Sequence, residues 1–163
     1  KMANYFSRRG LRKYQEHVQT VQDEFTRLQG LIGETTEGTN TWHDNAGYDH
    51  LQIDIDVAHK RLASAKEPLI GAQIVEYPLS VDQVALGSEV EYSIDGTINT
   101  IEIVAFGDDD IDNNKIGYKA PLCQSMLKHK VGDEYKHQFH NATKLIKIIR
   151  IAALSWAKEA NNI

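Results

Sequence analysis

Two apolar ladders that mirror one another constrain this chain more than any other feature. Leu11, Tyr14, Val18, Val21, Phe25, Leu28 and Ile32 step by three and four residues, and so do Tyr48, Leu51, Ile55, Ala58, Leu62, Ala65 and Leu69. That is the spacing of a heptad seam. Paired from the outside in, Leu11 meets Leu69, Val18 meets Leu62, Phe25 meets Ile55 and Ile32 meets Tyr48. The rungs between them pair Tyr14 with Ala65, Val21 with Ala58 and Leu28 with Leu51. Every pair is centred near residue 40. The mirror predicts two helices folded back antiparallel, a coiled-coil hairpin whose tip is the stretch 33–47, GETTEGTNTWHDNAG. At ~1.5 Å per residue the first ladder alone spans roughly 31 Å, so the tip is built to reach something.

Ser7 is a suitable N-cap for the first helix, which is expected to run to about Ile32, where Gly30, Gly33 and a run of threonines weaken it. Asn40, Thr41 or Asp44 are candidate caps for the second helix, and Pro68 ends it near Glu67. From Gln73 the pattern changes to period two. Val90, Tyr92 and Ile94 alternate, Asp95-Gly96 signals a hairpin turn, and Ile101, Ile103 and Ala105 alternate on the return. Pro121 suits the first turn of a short helix through Leu127. Tyr135, His137 and Phe139 alternate again, and Leu145 to Ile151 read as a buried terminal strand. The expected fold class is α+β: a hairpin over 1–76, an antiparallel sheet around one short helix over 77–153, and a tail over 154–163 with Trp156 docked on the sheet.

Charge narrows the function classes. The net charge of −5 argues against stand-alone binding to duplex DNA, which needs clustered Lys and Arg. Between residues 14 and 59 the only Lys or Arg is Arg27, against Glu16, Asp23, Glu24, Glu34, Glu37, Asp44, Asp49, Asp54 and Asp56. The far part of the hairpin is an acidic rod, read either as a solvated surface or as a probe for a positive channel or a bound metal ion. No apolar run approaches the ~20 residues of a membrane span, and no signal-peptide pattern opens the chain. The lone Cys123 makes no internal disulfide and fits a reducing compartment, so a cytoplasmic location is expected.

Several short motifs, in order, resemble the bacterial Gre transcript-cleavage factors (the GreA/GreB family). The family's tip pattern, Gly-Asp-Leu-Ser/Lys-Glu-Asn-Ala-Glu-Tyr, is similar to Asn40-Thr41-Trp42-His43-Asp44-Asn45-Ala46-Gly47-Tyr48. Lys60-Arg61-Leu62 resembles its Gly-Arg-Ile, and Ala72-Gln73-Ile74-Val75 its exit from the second helix. Val84 to Val90 resembles Val-x-x-Gly-Ser-x-Val, and Ala120-Pro121-Leu122, Leu127 and Gly132-Asp133 resemble its Ser-Pro-Leu, Leu and Gly-Asp.

The resemblance implies an FKBP-like second domain that docks on RNA polymerase at the rim of the secondary channel, with Ala120, Pro121 and Leu122 at the contact. It implies a hairpin inserted toward the active site, with Thr41, Trp42, His43 and Asn45 touching the polymerase and nascent RNA within reach. It implies no cofactor of its own and no catalysis of its own: tip acids help hold the polymerase's second magnesium ion. A monomer is expected because the hairpin satisfies its own seam. A hard cation prefers carboxylate oxygens, and two metals stabilise attacking and leaving oxygens. Here the first family acid falls on Thr41 and the second on Asp44, one methylene shorter. Glu37 or Asp49 would have to replace the missing acid, and the family's basic patch is replaced by Gln52 and acidic surroundings. These departures favour a regulator or inhibitor, with active cleavage stimulation as the alternative.

Other readings remain at single residues. Asp44 is also a possible N-cap. His43, Asp44, Asp49, His50 and Asp54 lack a fixed ligand triad but contain an i, i+4 His–Asp pair. The Asp108–Asp112 run is expected to be a solvated loop. A prolyl-isomerase reading of the second domain is disfavoured by its few aromatics.

Overall fold

The computed structural model describes residues 3–37 and 46–162. Helix α1 spans Arg8–Glu37 and α2 spans Ala46–Lys66. The chain forms two compact units. One is built on residues 13–72, and the other joins residues 4–12 to everything from Gln73 onward. The sequence reading had run the hairpin over 1–76.

In the helical unit no ladder residue is exposed, while Ile53 and Val57, off the ladder, are 60% and 50% exposed. Val21 packs with Leu62 and Ala65, with Val18 and Phe25 at the edge. Leu28 packs with Ile55 and Ala58, with Phe25, Leu31, Ile32 and Leu51 around them. Partners descend on α2 as they ascend on α1, as opposite-running helices require. One expected pair separates: Val21 and Ala58 fall in different clusters. The large Phe25 belongs to both clusters and reaches His59, ring to ring at 5.5 Å. The Tyr14 hydroxyl donates to the Ala65 carbonyl at 2.7 Å, which keeps that expected pair.

Helix α1 continues past Ile32 through Gly33. Glycine in a helix costs roughly 1 kcal/mol relative to alanine, which a helix already nucleated along the Leu11–Ile32 seam can carry. Helix α2 ends as Pro68 predicts, in a 3-10 turn over Glu67–Leu69.

The second unit holds a short parallel pair, β1 (Tyr5–Phe6) with β2 (Gln73–Ile74), and a five-stranded sheet. The sheet strands are β3 (Ser88–Ile94), β4 (Thr97–Val104), β5 (Lys115–Gly117), β6 (Glu134–Gln138) and β7 (Thr143–Ala153), in the order β5-β4-β3-β7-β6. Asp95 and Gly96 both take positive φ, 48° and 89°, the two-residue turn that suits a right-twisted hairpin. The sheet is mixed rather than wholly antiparallel. The loop after Val104 turns the chain around, so β5 pairs with β4 in parallel.

Helix α3 (Pro121–Met126) covers one face, with Cys123 and Met126 fully buried beside Val90, Ile103, Ile146 and Ile148. Burial pushes the Cys123 thiol up to about 11. Strand β7 alternates instead of being buried throughout: Leu145 is 42% exposed, since only one face of this edge-side pair is covered. A short helix, α4 (Ala157–Asn161), closes a second core with Tyr77, Val104, Ala105 and Leu154.

Candidate functional site

The first turn of α1 is fastened to the sheet unit by a buried polar knot around Asp108. Ser7 caps the helix: its Oγ accepts from the Gly10 N–H at 2.9 Å, and its carbonyl accepts from the Leu11 N–H at 2.9 Å. The same hydroxyl donates to Asp108 Oδ2 at 2.5 Å, and the Tyr77 hydroxyl donates to that oxygen at 2.5 Å. Tyr77 in turn accepts from the Ala105 N–H at 2.9 Å. Burial, then the neighbouring carboxylate, pushes the Tyr77 hydroxyl well above its ordinary pKa.

Arg9 Nε lies 3.7 Å from Asp108 Oδ1, an ion pair longer than a hydrogen bond. The Arg9 guanidinium stacks 4.4 Å from the Trp156 ring centroid, and the Trp156 indole N–H donates to Glu102 at 2.9 Å. The tail therefore docks through Trp156 as the sequence predicts. Backbones meet closely beneath the knot. A Cβ on Gly107 would stand 2.8 Å from the Gly10 carbonyl oxygen, and one on Gly10 would stand 3.1 Å from Asp108 Oδ1.

The expectation of a solvated 108–112 loop is corrected at its first residue. Asp108 is 3% exposed, whereas Asp109, Asp110 and Asp112 are exposed. A carboxylate is buried only where donors and a cation meet it, and those come from residues 7, 9 and 77. No local pattern marks Asp108 among its neighbours. The glycines at 10 and 107 are the only local hint, and they show a close approach without naming its partner.

The predicted docking residues are brought together at the start of α3. Ala120 is extended and half-buried, Pro121 occupies the first helical turn and is exposed, and Leu122 leans on the core. The Gln124 side-chain amide donates to the Tyr118 carbonyl at 2.7 Å, which holds this corner rigid. Beside it opens a mostly apolar cleft of about 320 Å³, lined by Phe106, Ile111, Ile116, Tyr118 and Ala120 with Lys115 and Lys119. Ile111 on its rim is 78% exposed.

Thr41, Trp42, His43, Asp44 and Asn45 lie outside the described residues. Of the other tip-side acids, Glu37 closes α1, and Asp49 and Asp54 are exposed on α2, as is His50. Among the described residues no group of three or more His, Cys, Asp or Glu is placed to hold a metal ion. Arg27 is bound by Glu24 on the same helix at 2.7 and 2.9 Å, and that contact holds the Glu24 carboxyl below its ordinary range. No helix among the described residues is long and apolar enough to cross a membrane.

Paired long helices followed by a mixed sheet with one covering helix define an α+β protein of two units. The family profile described as "Transcription elongation factor, GreA/GreB, C-term" matches residues 79–153. The transcription elongation factor GreA of Clostridium acetobutylicum is 30% identical over 112 residues, covering 66% of this chain and 70% of that protein. GreA of Thermomicrobium roseum is 27% identical over 139 residues, covering 84% of this chain and 88% of that protein. The crystal structure of GreA factor homolog 1 from Thermus thermophilus superposes with a TM-score of 0.43 at 17% identity, over 93% of this chain and all of that one. The chain belongs to the GreA/GreB family of transcription elongation factors.

Proposed function

We propose that this protein regulates elongation by docking its sheet unit on bacterial RNA polymerase and passing a coiled-coil hairpin into the secondary channel. The observation that carries the docking step is the exposed Pro121 beside the apolar cleft. A rigid corner next to an apolar hollow is the kind of surface a protein partner fills. The sheet unit, read as FKBP-like, acts here as a binding module and performs no chemistry of its own. The helical unit is the probe, and its one distal arginine is neutralised by Glu24, so its surface suits a positive channel.

At the tip the donor set decides between regulation and cleavage. Where the family places two carboxylates, this sequence has Thr41 and Asp44. A neutral hydroxyl lacks the Coulomb attraction of a carboxylate, so the tip recruits a weakly held magnesium ion poorly. Any such ion belongs to the polymerase, and this chain contributes Asp44 alone. The reading is therefore a channel-occupying regulator that acts as a monomer.

The docking step is tested by the affinity of polymerase for Pro121→Glu. Burying an unpaired charge at the corner weakens binding at least tenfold while the melting temperature stays within a few degrees. Undiminished binding places the docking surface elsewhere.

A further inference from the structure

We propose that the loop 128–130 and the adjoining face of β6 form a binding site for single-stranded RNA. This chain is acidic overall, yet residues 128–150 carry Lys128, Lys130, Lys136, Lys144, Lys147 and Arg150 against only Asp133 and Glu134, a net of +4 with histidines neutral. Lys147 is paired with Glu134, and Arg150 with Glu89 and Glu91. Lys128, Lys130 and Lys144 are exposed and in no salt bridge among the described residues, with Asp133 near Lys130, while Lys136 points from the opposite face of β6.

Rings line the same strip. His129 stacks on Tyr135 at 4.4 Å with the planes 8° apart, and its side chain stays 32% exposed. Its Nδ1 faces Asp133 Oδ2 at 3.1 Å, and Ser125 Oγ and the Tyr135 hydroxyl are 2.8 Å apart, so both rings are held in place. Tyr135, His137 and Phe139 follow on alternate positions of one face, Tyr135 and Phe139 leaning on the core and His137 half-buried at its edge. His137 is the cross-strand neighbour of Lys144, whose Nζ lies 5.7 Å from the Phe139 ring. Lys128, Lys130 and Lys144 beside the fixed, part-exposed His129 ring are a combination that holds a single strand, phosphates on the cations and a base on the imidazole face turned from Tyr135. An acidic peptide would use the cations but not the rings. In an elongation factor RNA is the single strand at hand.

A second observation points the same way. Lys128 has φ 73°, a left-handed conformation that glycine adopts without strain. The position presents a lysine on an exposed loop where the backbone favours glycine.

The test measures fluorescence anisotropy of a labelled 12-nucleotide RNA with the full chain, without polymerase, so it stands apart from the docking reading. The expected result is saturable binding that weakens with salt. Lys128→Gly is expected to raise the melting temperature yet weaken RNA two- to threefold, and Lys144→Glu to weaken it about fivefold. His129→Ala is expected to weaken it about fivefold, with His129→Phe restoring part of the loss, in keeping with base–ring stacking. Three results each overturn the site: no saturable binding, variants that bind as the parent does, or equal competition by polyglutamate.

Discussion

The two units are held together by different physics. The helical unit is stabilised by one periodic apolar row whose partners lie close to their mirror positions in sequence. The sheet unit has apolar cores as well, but the first turn of α1 is fastened to it by a buried polar knot whose other members lie 31 to 101 positions from Asp108. A repeating seam can lose one rung and keep the others. A knot in which Asp108 serves Ser7, Tyr77 and Arg9 at once has no spare member. The sheet unit should therefore be the more sensitive to a single polar change, and the helical unit to apolar truncation.

Asp108→Ala is the severest way to test the contrast. It leaves the Ser7 and Tyr77 hydroxyls and the Arg9 guanidinium short of their shared acceptor, at a cost of about 3–5 kcal/mol. The adjacent, exposed Asp109→Ala should change stability by no more than about 0.5 kcal/mol. Denaturant titration of the pair checks both, and equal small losses would remove the knot from the account.

Leu28→Ala in the seam should cost about 2–3 kcal/mol, at the low end for a buried leucine because a two-helix layer collapses easily. Ile53→Ala, off the seam, should stay within about 0.5 kcal/mol. A comparable loss at Ile53 would mean that the buried row has been misplaced.

Tyr77→Phe sharpens the comparison further. It removes one donor to Asp108 and the acceptor of the Ala105 N–H, for about 1–3 kcal/mol. It also carries a pH signature. The folded pKa of Tyr77 is raised, so its contribution is fully present below the unfolded value of about 10 and declines as pH rises above it. Stability of the parent protein should fall from about pH 10 upward, and that fall should be shallower in Tyr77→Phe. Parallel alkaline profiles would assign the loss to other groups.

How much of this was readable in the sequence follows the same division. The ladders, the stop at Pro68, the Asp95-Gly96 turn and the Pro121 helix each express a local rule, and the structure shows each of them. The separation of Val21 from Ala58 beside Phe25 escaped because residue size, as well as periodicity, sets which knob meets which hole. Parallel β5 escaped because strand direction depends on the loop before it. Asp108 escaped because its partners Ser7, Arg9 and Tyr77 are all distant in sequence, and its acidic neighbours look the same on paper. The corner proposed for docking was marked in the sequence by the Ala120-Pro121-Leu122 motif, while the cleft beside it required Phe106 and Tyr118 to be brought together by the sheet.

The central claim, a channel-occupying regulator whose tip lacks one metal-binding acid, is tested most directly in a backtracked elongation complex with polymerase from the source organism. The account expects no faster release of short 3′ RNA fragments and slower nucleotide addition. Asp44→Ala is expected to leave polymerase binding intact. Rapid, magnesium-dependent cleavage that Asp44→Ala abolishes would contradict it and make the protein an active cleavage stimulator.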